Sequence, residues 1–149
     1  MSKFFYICRN AGKPFSNHEM QLLSTLNRRM DMALEAEFKV EEDVLIVRLQ
    51  GELDHHEAEQ LRERWKDEIY HHSVKHVLLN LRDITFMDSS GLGVVLGRYK
   101  EVLQLGGQFV VCSITAPIER LFEMSGLFKI VKQAEDEHDA LHALGVIVS

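Results

Sequence analysis

Short apolar segments alternate with one-sided helical segments along most of this chain, and this alternation limits the possible folds strongly. An apolar segment at His76–Leu81 is followed by a helical pattern from Ser90 to Leu105, by a Gly106-Gly107 pair that predicts the end of this helix, and by a second apolar segment at Gln108–Ser113. Strands that are separated by helices pair in parallel through right-handed crossovers. The pattern therefore predicts an α/β domain.

The segments before this unit predict a hairpin and a further helix. Extended segments at Ala36–Val40 and Val44–Gln50 flank a short acidic connection, which is typical of an antiparallel hairpin. Asp54 is followed three residues later by Glu57, the spacing of a helix N-terminal capping box. Helical spacing then places four apolar side chains on one face: Ala58, Leu61, Trp65 and Ile69.

Three more elements are predicted near the C-terminus. They are a short helix from Pro117 to Gly126, a last strand at Phe128–Val131 and a last helix at Asp136–Leu144. Every predicted helix has a single apolar face, so one layer of about four helices would cover a mixed sheet of four or five strands. The length of 149 residues fits one such domain.

The composition limits the classes of binding partner and the cellular compartment that we expect for this chain. The net charge of −6 argues against a nucleic-acid-binding surface, which is usually basic. No apolar run approaches the roughly 18 residues of a membrane span. Of the two cysteines, Cys112 lies in an apolar run and is interpreted as a reduced, buried residue. We therefore expect a cytoplasmic protein with neither nucleic-acid nor membrane partners.

Residues 1–31 differ in charge from the rest of the chain. They contain five basic residues and two acidic ones, whereas residues 32–149 contain 12 basic and 21 acidic ones. One interpretation is a functional basic arm. We prefer the hypothesis that residues 1–31 are a poorly ordered leader or upstream sequence read in frame, with Met32 as the natural start and residues 32–149 as the domain.

The junction before the central helix carries an aspartate and two serines, Asp88-Ser89-Ser90. The first backbone N–H groups of a helix lack partners there, and together with the helix dipole they favour negative charge. A serine at this position can cap the helix, bind an anion or carry a phosphate, and one serine is enough for the cap. Flanking apolar residues predict a rim suited to docking: Phe86, Met87 and Leu92.

Catalytic and nucleotide-binding interpretations of this junction fit less well. A hydrolase elbow needs Gly-x-Ser-x-Gly, and Met87 stands where the first glycine belongs. The glycines of a dinucleotide fingerprint precede the helix, whereas Gly91, Gly93 and Gly97 fall inside it. These glycines are better explained by a close approach of the helix to the sheet.

Metal binding is also disfavoured by the spacing of the histidines. The pairs His55-His56 and His71-His72 flank one predicted helix and lie about four turns apart, too far to share an ion. His55 and Glu59 have i,i+4 spacing, but two ligands make only a weak site. We expect exposed histidines at the helix ends and no metal.

Three stretches together resemble the anti-anti-sigma factors of the STAS-domain class. They are Gly51–His56 (GELDHH), Phe86–Val94 (FMDSSGLGV) and Arg120–Ile130 (RLFEMSGLFKI). The dipeptide Asn80-Leu81, which precedes the second stretch, is part of the same resemblance. The resemblance runs in order from about Met32 to the C-terminus. It implies a single STAS domain.

The resemblance also implies a function, which is a phosphorylation switch without enzymatic activity or cofactor. Such a protein binds an anti-sigma factor that is also a serine kinase and thereby releases a sporulation sigma factor. The kinase phosphorylates the first serine of the motif, here Ser89, and a PP2C-type phosphatase removes the phosphate. Carried over by position, the partner-binding residues are Asp54, Asp88, Ser89, Ser90, Gly91 and Leu92.

Two alternatives stay open at this point. One is a STAS regulator of another stress or signalling pathway, with the same chemistry and a different partner. The other is an enzyme that uses Ser89 as a nucleophile. In the favoured interpretation we expect a monomer.

Overall fold

The computed structural model describes residues 16–18, 21 and 33–146. The predicted leader, residues 1–31, lies almost wholly outside the described residues and stays a prediction. The described chain forms a five-stranded sheet in which the spatial order of the strands follows the chain, with β1 antiparallel to β2 and the other pairs parallel. The strands are β1 (Glu35–Glu41), β2 (Val44–Leu53), β3 (His76–Met87), β4 (Phe109–Cys112) and β5 (Lys132–Ala134).

Within residues 33–146, four α-helices accompany the sheet, and a short 3-10 helix lies at Leu127–Lys129. The predicted α/β class, with a mixed sheet and four helices, is confirmed. Among the described residues, no helix combines the length and hydropathy needed to cross a membrane. The α-helices are α1 (His55–His71), α2 (Ser89–Gln104), α3 (Ala116–Ser125) and α4 (Glu137–Ala143).

Helices cover both faces of the sheet, so the predicted single helical layer is wrong. Alternate residues of a strand point to opposite faces. Leu45 and Val47 of β2 pack in the larger core with α1, α2 and α3, whose fully buried Trp65 and Phe122 fill its centre. The intervening Ile46 packs in a smaller core on the other face, against residues of α4. The first four residues of β2 and the whole of β4 are therefore continuous apolar runs, because these segments are buried on both sides.

A charged contact holds α4 on the second face. Arg48 of β2 donates to both carboxylate oxygens of Glu137, with N···O distances of 2.7 Å, and Asn80 of β3 donates to the same carboxylate. The hydrogen bonds from Arg48 lower the pKa of Glu137, and the bond to Glu137 raises the pKa of Arg48. Paired bonds of this kind fix orientation as well as position.

Cys112 lies in the smaller core, where it is fully buried, as predicted. Burial raises the pKa of its thiol to about 11. The thiol therefore stays protonated near neutral pH and packs as a small apolar group.

Two predicted strands differ most from the structure in their bounds. The strand predicted at Phe128–Val131 is absent there: Gly126, with φ of 81°, ends α3, and the N–H of Val131 donates to the carbonyl of Leu127 in a helical turn. The last strand, β5, begins only at Lys132. The other difference concerns β3. This strand continues six residues past its predicted end at Leu81, because β2 remains paired with it as far as Met87.

The connection from α2 to β4 contains two glycines with different roles. Gly106, with φ of 81°, follows the last turn of α2 as the predicted stop signal. Gly107 is buried against the backbone before β3, and an added Cβ would lie 1.6 Å from the carbonyl oxygen of Lys75. Only a residue without a side chain fits at that position.

His76 stabilises this end of the sheet, where β3 and β4 begin, and it does so as a neutral imidazole. It is 8% exposed, and its Nδ1 accepts a 2.9 Å hydrogen bond from the backbone N–H of Gln108. Its Nε2 lies 3.7 Å from an Asp43 oxygen. Burial lowers the pKa of His76, and Lys75 adds to this effect whereas Asp43 opposes it. An Nδ1 atom that accepts a hydrogen bond carries no proton.

We therefore expect the free energy of unfolding to fall as the pH drops below about 6.5, the ordinary histidine pKa. In the unfolded chain His76 takes up a proton near that pH, whereas the folded chain does so only at lower pH, so acid favours unfolding. The variant His76→Gln keeps an acceptor that does not titrate and should lose less stability between about pH 7 and about pH 5.5. Urea unfolding measures this difference; equal losses in the two proteins would contradict it.

Candidate functional site

The ends of two neighbouring strands bring the candidate site together. Because β2 and β3 are parallel, their carboxyl ends lie at one edge of the sheet, and Leu53 is paired with Met87. Each strand is followed at once by an aspartate, Asp54 or Asp88. The backbone N–H of Asp88 donates to the carbonyl of Leu53 at 3.3 Å. This hydrogen bond directly connects the two places where a strand ends and a helix begins.

Both aspartates are helix N-caps. Oδ1 of Asp54 accepts hydrogen bonds of 3.0 Å from two N–H groups of α1, which confirms the predicted cap. Oδ1 of Asp88 accepts bonds of 3.0 and 3.1 Å from the N–H groups of Ser90 and Gly91. Of the three roles left open for a serine at this position, capping of α2 is therefore taken by Asp88, because β3 extends to Met87 and brings Asp88 to the capping position.

The two serines lie on different sides of the start of α2. Ser89 is exposed and lines a groove of about 350 Å³ between α2 and the turn after α3. Ser90 is half-buried and lines a second hollow, between α1 and α2, together with His55 and Arg62. The first groove is lined mainly by apolar side chains: Leu92, Leu96, Leu127 and Ile130.

Large apolar side chains are exposed around the first groove and near it. Ile130 lines the groove and is 47% exposed, and Met124, in the last turn of α3, is 81% exposed. Phe86 is 46% exposed at the end of β3 and Leu92 is half-buried, whereas Met87 is buried. Met87 is therefore not part of the predicted apolar rim. The contribution of Ile130 was missed because this residue comes from a distant part of the chain.

The three glycines of α2 have different surroundings. Gly91 is buried, and an added Cβ would lie 2.7 Å from Cγ of Met87 and 2.8 Å from Cγ of Leu53. The predicted close approach to the sheet is thus correct for Gly91. It is wrong for Gly93 and Gly97, where an added Cβ would meet nothing within 4 Å among the described residues. Gly91 lets the start of α2 lie tightly on the strand ends.

The histidine pairs lie at opposite ends of α1, as predicted from their spacing. His55 begins the helix, and its Nδ1 lies 4.0 Å from Oδ2 of Asp88. His72, at the other end, lies 3.0 Å from a carboxylate oxygen of Glu68. One group of possible metal ligands occurs elsewhere among the described residues, the exposed Asp136, His138 and Asp139, but Asp136 is already engaged as the N-cap of α4.

Comparison with known families identifies the class of protein that this fold and site define. The model of the STAS domain family matches residues 35–140, and the chain belongs to that family. Among its relatives, an anti-sigma F factor antagonist of Paenibacillus polymyxa is 47% identical over 78% of this chain and 99% of its own length. An anti-sigma-B factor antagonist of Bacillus subtilis is 31% identical, with 67% and 90% of the two chains covered.

Solved structures give the same classification. The anti-sigma factor antagonist SpoIIAA in its unphosphorylated form is 29% identical, with a TM-score of 0.62 over 77% of this chain and all of that one. The Bacillus cell fate determinant SpoIIAA in its phosphorylated form is 33% identical, with a TM-score of 0.60 over 74% and 98%. These relatives are regulatory STAS proteins and not enzymes, in agreement with the expectation for this chain.

Proposed function

We propose that this chain is an anti-sigma factor antagonist whose partner is an anti-sigma factor with serine kinase activity. In its unphosphorylated form it binds that partner and releases a sporulation sigma factor, and phosphorylation of Ser89 switches the binding off. The observation that carries this proposal is the position of Ser89. Its side chain is exposed at the start of α2, while Asp88 already caps the helix.

The proposed modification is an ordinary phosphoryl transfer. The γ-phosphoryl group of ATP moves to Oγ of Ser89, the bond to the bridging oxygen of ATP breaks, ADP leaves, and the hydroxyl proton passes to a base of the kinase. The product carries about −1.5 to −2 charge at neutral pH. A helix N-terminus tolerates that charge, so the fold should persist. A PP2C-type phosphatase would restore the hydroxyl by hydrolysis.

The surface around Ser89 fits a docking role. The groove beside it is lined by Leu92, Leu96 and Ile130, and an apolar centre with a polar rim is typical of protein interfaces. Asp54, Asp88 and Ser90 supply polar groups at the adjoining strand ends. We assign Gly91 a positioning role within this surface, because it is buried against Leu53 and Met87.

Two solved forms of a similar protein support a switch that acts without refolding. SpoIIAA has been solved both unphosphorylated and phosphorylated, and both forms match this chain with similar TM-scores. We propose that phosphate acts in the same manner here, by changing the charge and shape of the docking surface.

We further propose that the chain acts as a cytoplasmic monomer and that residues 1–31 are not required for binding.

The second candidate is an antagonist in another signalling pathway. It is favoured by the similarity to anti-sigma-B factor antagonists, which extends over most of the domain. The chemistry at Ser89 would be unchanged and the partner would differ. A pull-down with the anti-sigma factors of the source organism, in ATP and in ADP, separates the two candidates by the partner retained.

Incubation with the retained kinase and ATP is expected to add one phosphate, which peptide mass mapping should place on Ser89. The variant Ser89→Ala should accept none. Ser90→Ala is the matched control and should still be phosphorylated, because Ser90 is half-buried and faces the hollow beside α1. Phosphate on Ser90, or an unmodified wild-type protein beside an active kinase, would refute the assignment.

A further inference from the structure

Gly93 lies on the ridge of α2 that separates the two hollows beside the serines. It is exposed, and it lines both the groove of about 350 Å³ that contains Ser89 and the hollow of about 360 Å³ that contains Ser90. Gly93 follows Ser89 by four residues, so the two lie on the same face of the helix. A partner that covers Ser89 would therefore also approach the backbone of Gly93.

Packing within the domain does not explain why this position is a glycine. An added Cβ at Gly93 would meet nothing within 4 Å among the described residues, whereas Gly91 is enclosed by Leu53 and Met87. Gly93 has no positive φ, so the backbone does not require a glycine either. A glycine inside a helix lowers its stability relative to alanine. Close approach of a partner from outside the domain accounts for the missing side chain.

The two hollows on either side of Gly93 differ in chemistry. The groove has apolar walls from α2 and from the chain after α3: Leu92, Leu96, Leu127 and Ile130. The other hollow, between α1 and α2, has mainly polar walls: His55, Glu59, Arg62 and Ser90. An amphipathic helix has one apolar and one polar face, and such helices bind grooves through their apolar side chains. A helix laid across α2 would match both linings at once.

We infer that an amphipathic helix of the anti-sigma factor crosses α2 at Gly93. This inference rests on the proposed function, because the groove that receives the apolar face of the helix is the one that Ser89 lines. The distance between packed helix axes depends on the side chains at the contact, and a glycine permits the closest approach. A phosphate on Ser89 would lie one turn from the crossing point, where its bulk and charge would exclude the helix.

Gly93→Gln should weaken binding of the anti-sigma factor to the unphosphorylated full chain by about tenfold or more, and tenfold corresponds to about 1.4 kcal/mol. The new side chain would occupy the crossing point. Titration calorimetry in ADP measures the affinity. The domain should remain folded, because glutamine favours a helix more than glycine does, and urea unfolding should show no loss of stability.

Gly97→Gln is the matched control for this variant. Gly97 lies one turn further along α2, an added Cβ there also meets nothing within 4 Å among the described residues, and Gly97 lines neither hollow. This variant should therefore bind with wild-type affinity. The inference is overturned if Gly93→Gln binds as tightly as the wild type, or if the two variants lose affinity equally.

Two exposed apolar residues test the apolar side of the crossing in the same way. Ile130 lines the groove, whereas Met124 is more exposed but lines neither hollow. Ile130→Ser should lower the affinity by about tenfold, and Met124→Ser should lower it much less. Equal losses would place the apolar contact outside the groove and contradict the proposed crossing.

Hydrogen exchange of the anti-sigma factor, with and without this protein, tests the helical form of the bound element. Added protection should appear in a segment with apolar residues at i, i+3 and i+4 spacing. Protection confined to segments without that spacing would refute a helix. A wild-type protein that binds no anti-sigma factor, or that receives no phosphate at Ser89, would instead refute the proposed function.

Discussion

Replacing Ser89 with aspartate is expected to weaken binding to the anti-sigma factor by about a hundredfold, whereas Ser89→Ala should keep binding and lose regulation. The new carboxylate would lie next to Asp88 and beside the apolar groove, where a partner would have to bury it without a counter-ion. A misplaced charge at an interface costs several kcal/mol, and about 2.7 kcal/mol corresponds to a hundredfold change in affinity.

Ser89→Asn separates charge from size in this experiment. Asparagine has nearly the shape of aspartate but no charge, so it should lose much less affinity. Titration calorimetry with the purified anti-sigma factor in ADP measures all three variants without phosphorylation. Similar affinities for the Asp and Asn variants would show that bulk, and not charge, operates the switch.

Replacing Gly107 with alanine should cost about 3 kcal/mol or more of the free energy of unfolding. The added methyl would lie 1.6 Å from the carbonyl oxygen of Lys75 and 3.1 Å from Cγ1 of Val102. A backbone atom cannot move aside as a flexible side chain does, so the connection between α2 and β4 would have to shift. Urea unfolding followed by circular dichroism measures the loss.

Two other glycines provide controls for this prediction. Gly106 has open space for a Cβ, but its φ is 81°, so alanine there should cost only about 1–2 kcal/mol. Gly97 lies in α2 with open space, and alanine should stabilise the helix by up to about 1 kcal/mol. If Gly107→Ala proved no worse than Gly106→Ala, the close approach to Lys75 would be incorrect.

Local signals predicted much of the fold. Asp54 was recognisable as an N-cap because a helical apolar pattern follows it, and Gly106 as a stop because the pattern ends there. The hairpin between β1 and β2 followed from its short acidic connection. Each of these features depends on residues that are close in the sequence.

The features that were missed depend on distant contacts. The position of α4 is fixed by the bond between Arg48 and Glu137, which are 89 residues apart in the chain. The cap of α2 was left open because three consecutive residues, Asp88, Ser89 and Ser90, can all cap a helix. Pairing of β3 with β2 decides among them by extending the strand to Met87. The groove beside Ser89 likewise requires Ile130 from beyond α3.

The capping role of Asp88 also affects how this site can change, in evolution or by design. Asp88 holds the backbone at the start of α2, whereas Ser89 uses its hydroxyl in none of those bonds. Under the proposed function, the stability of the fold and the regulation of binding would therefore depend on different side chains. On that proposal, position 89 could be exchanged for another acceptor, such as threonine or cysteine, and a different modifying enzyme would then control the same docking surface while the domain keeps its fold.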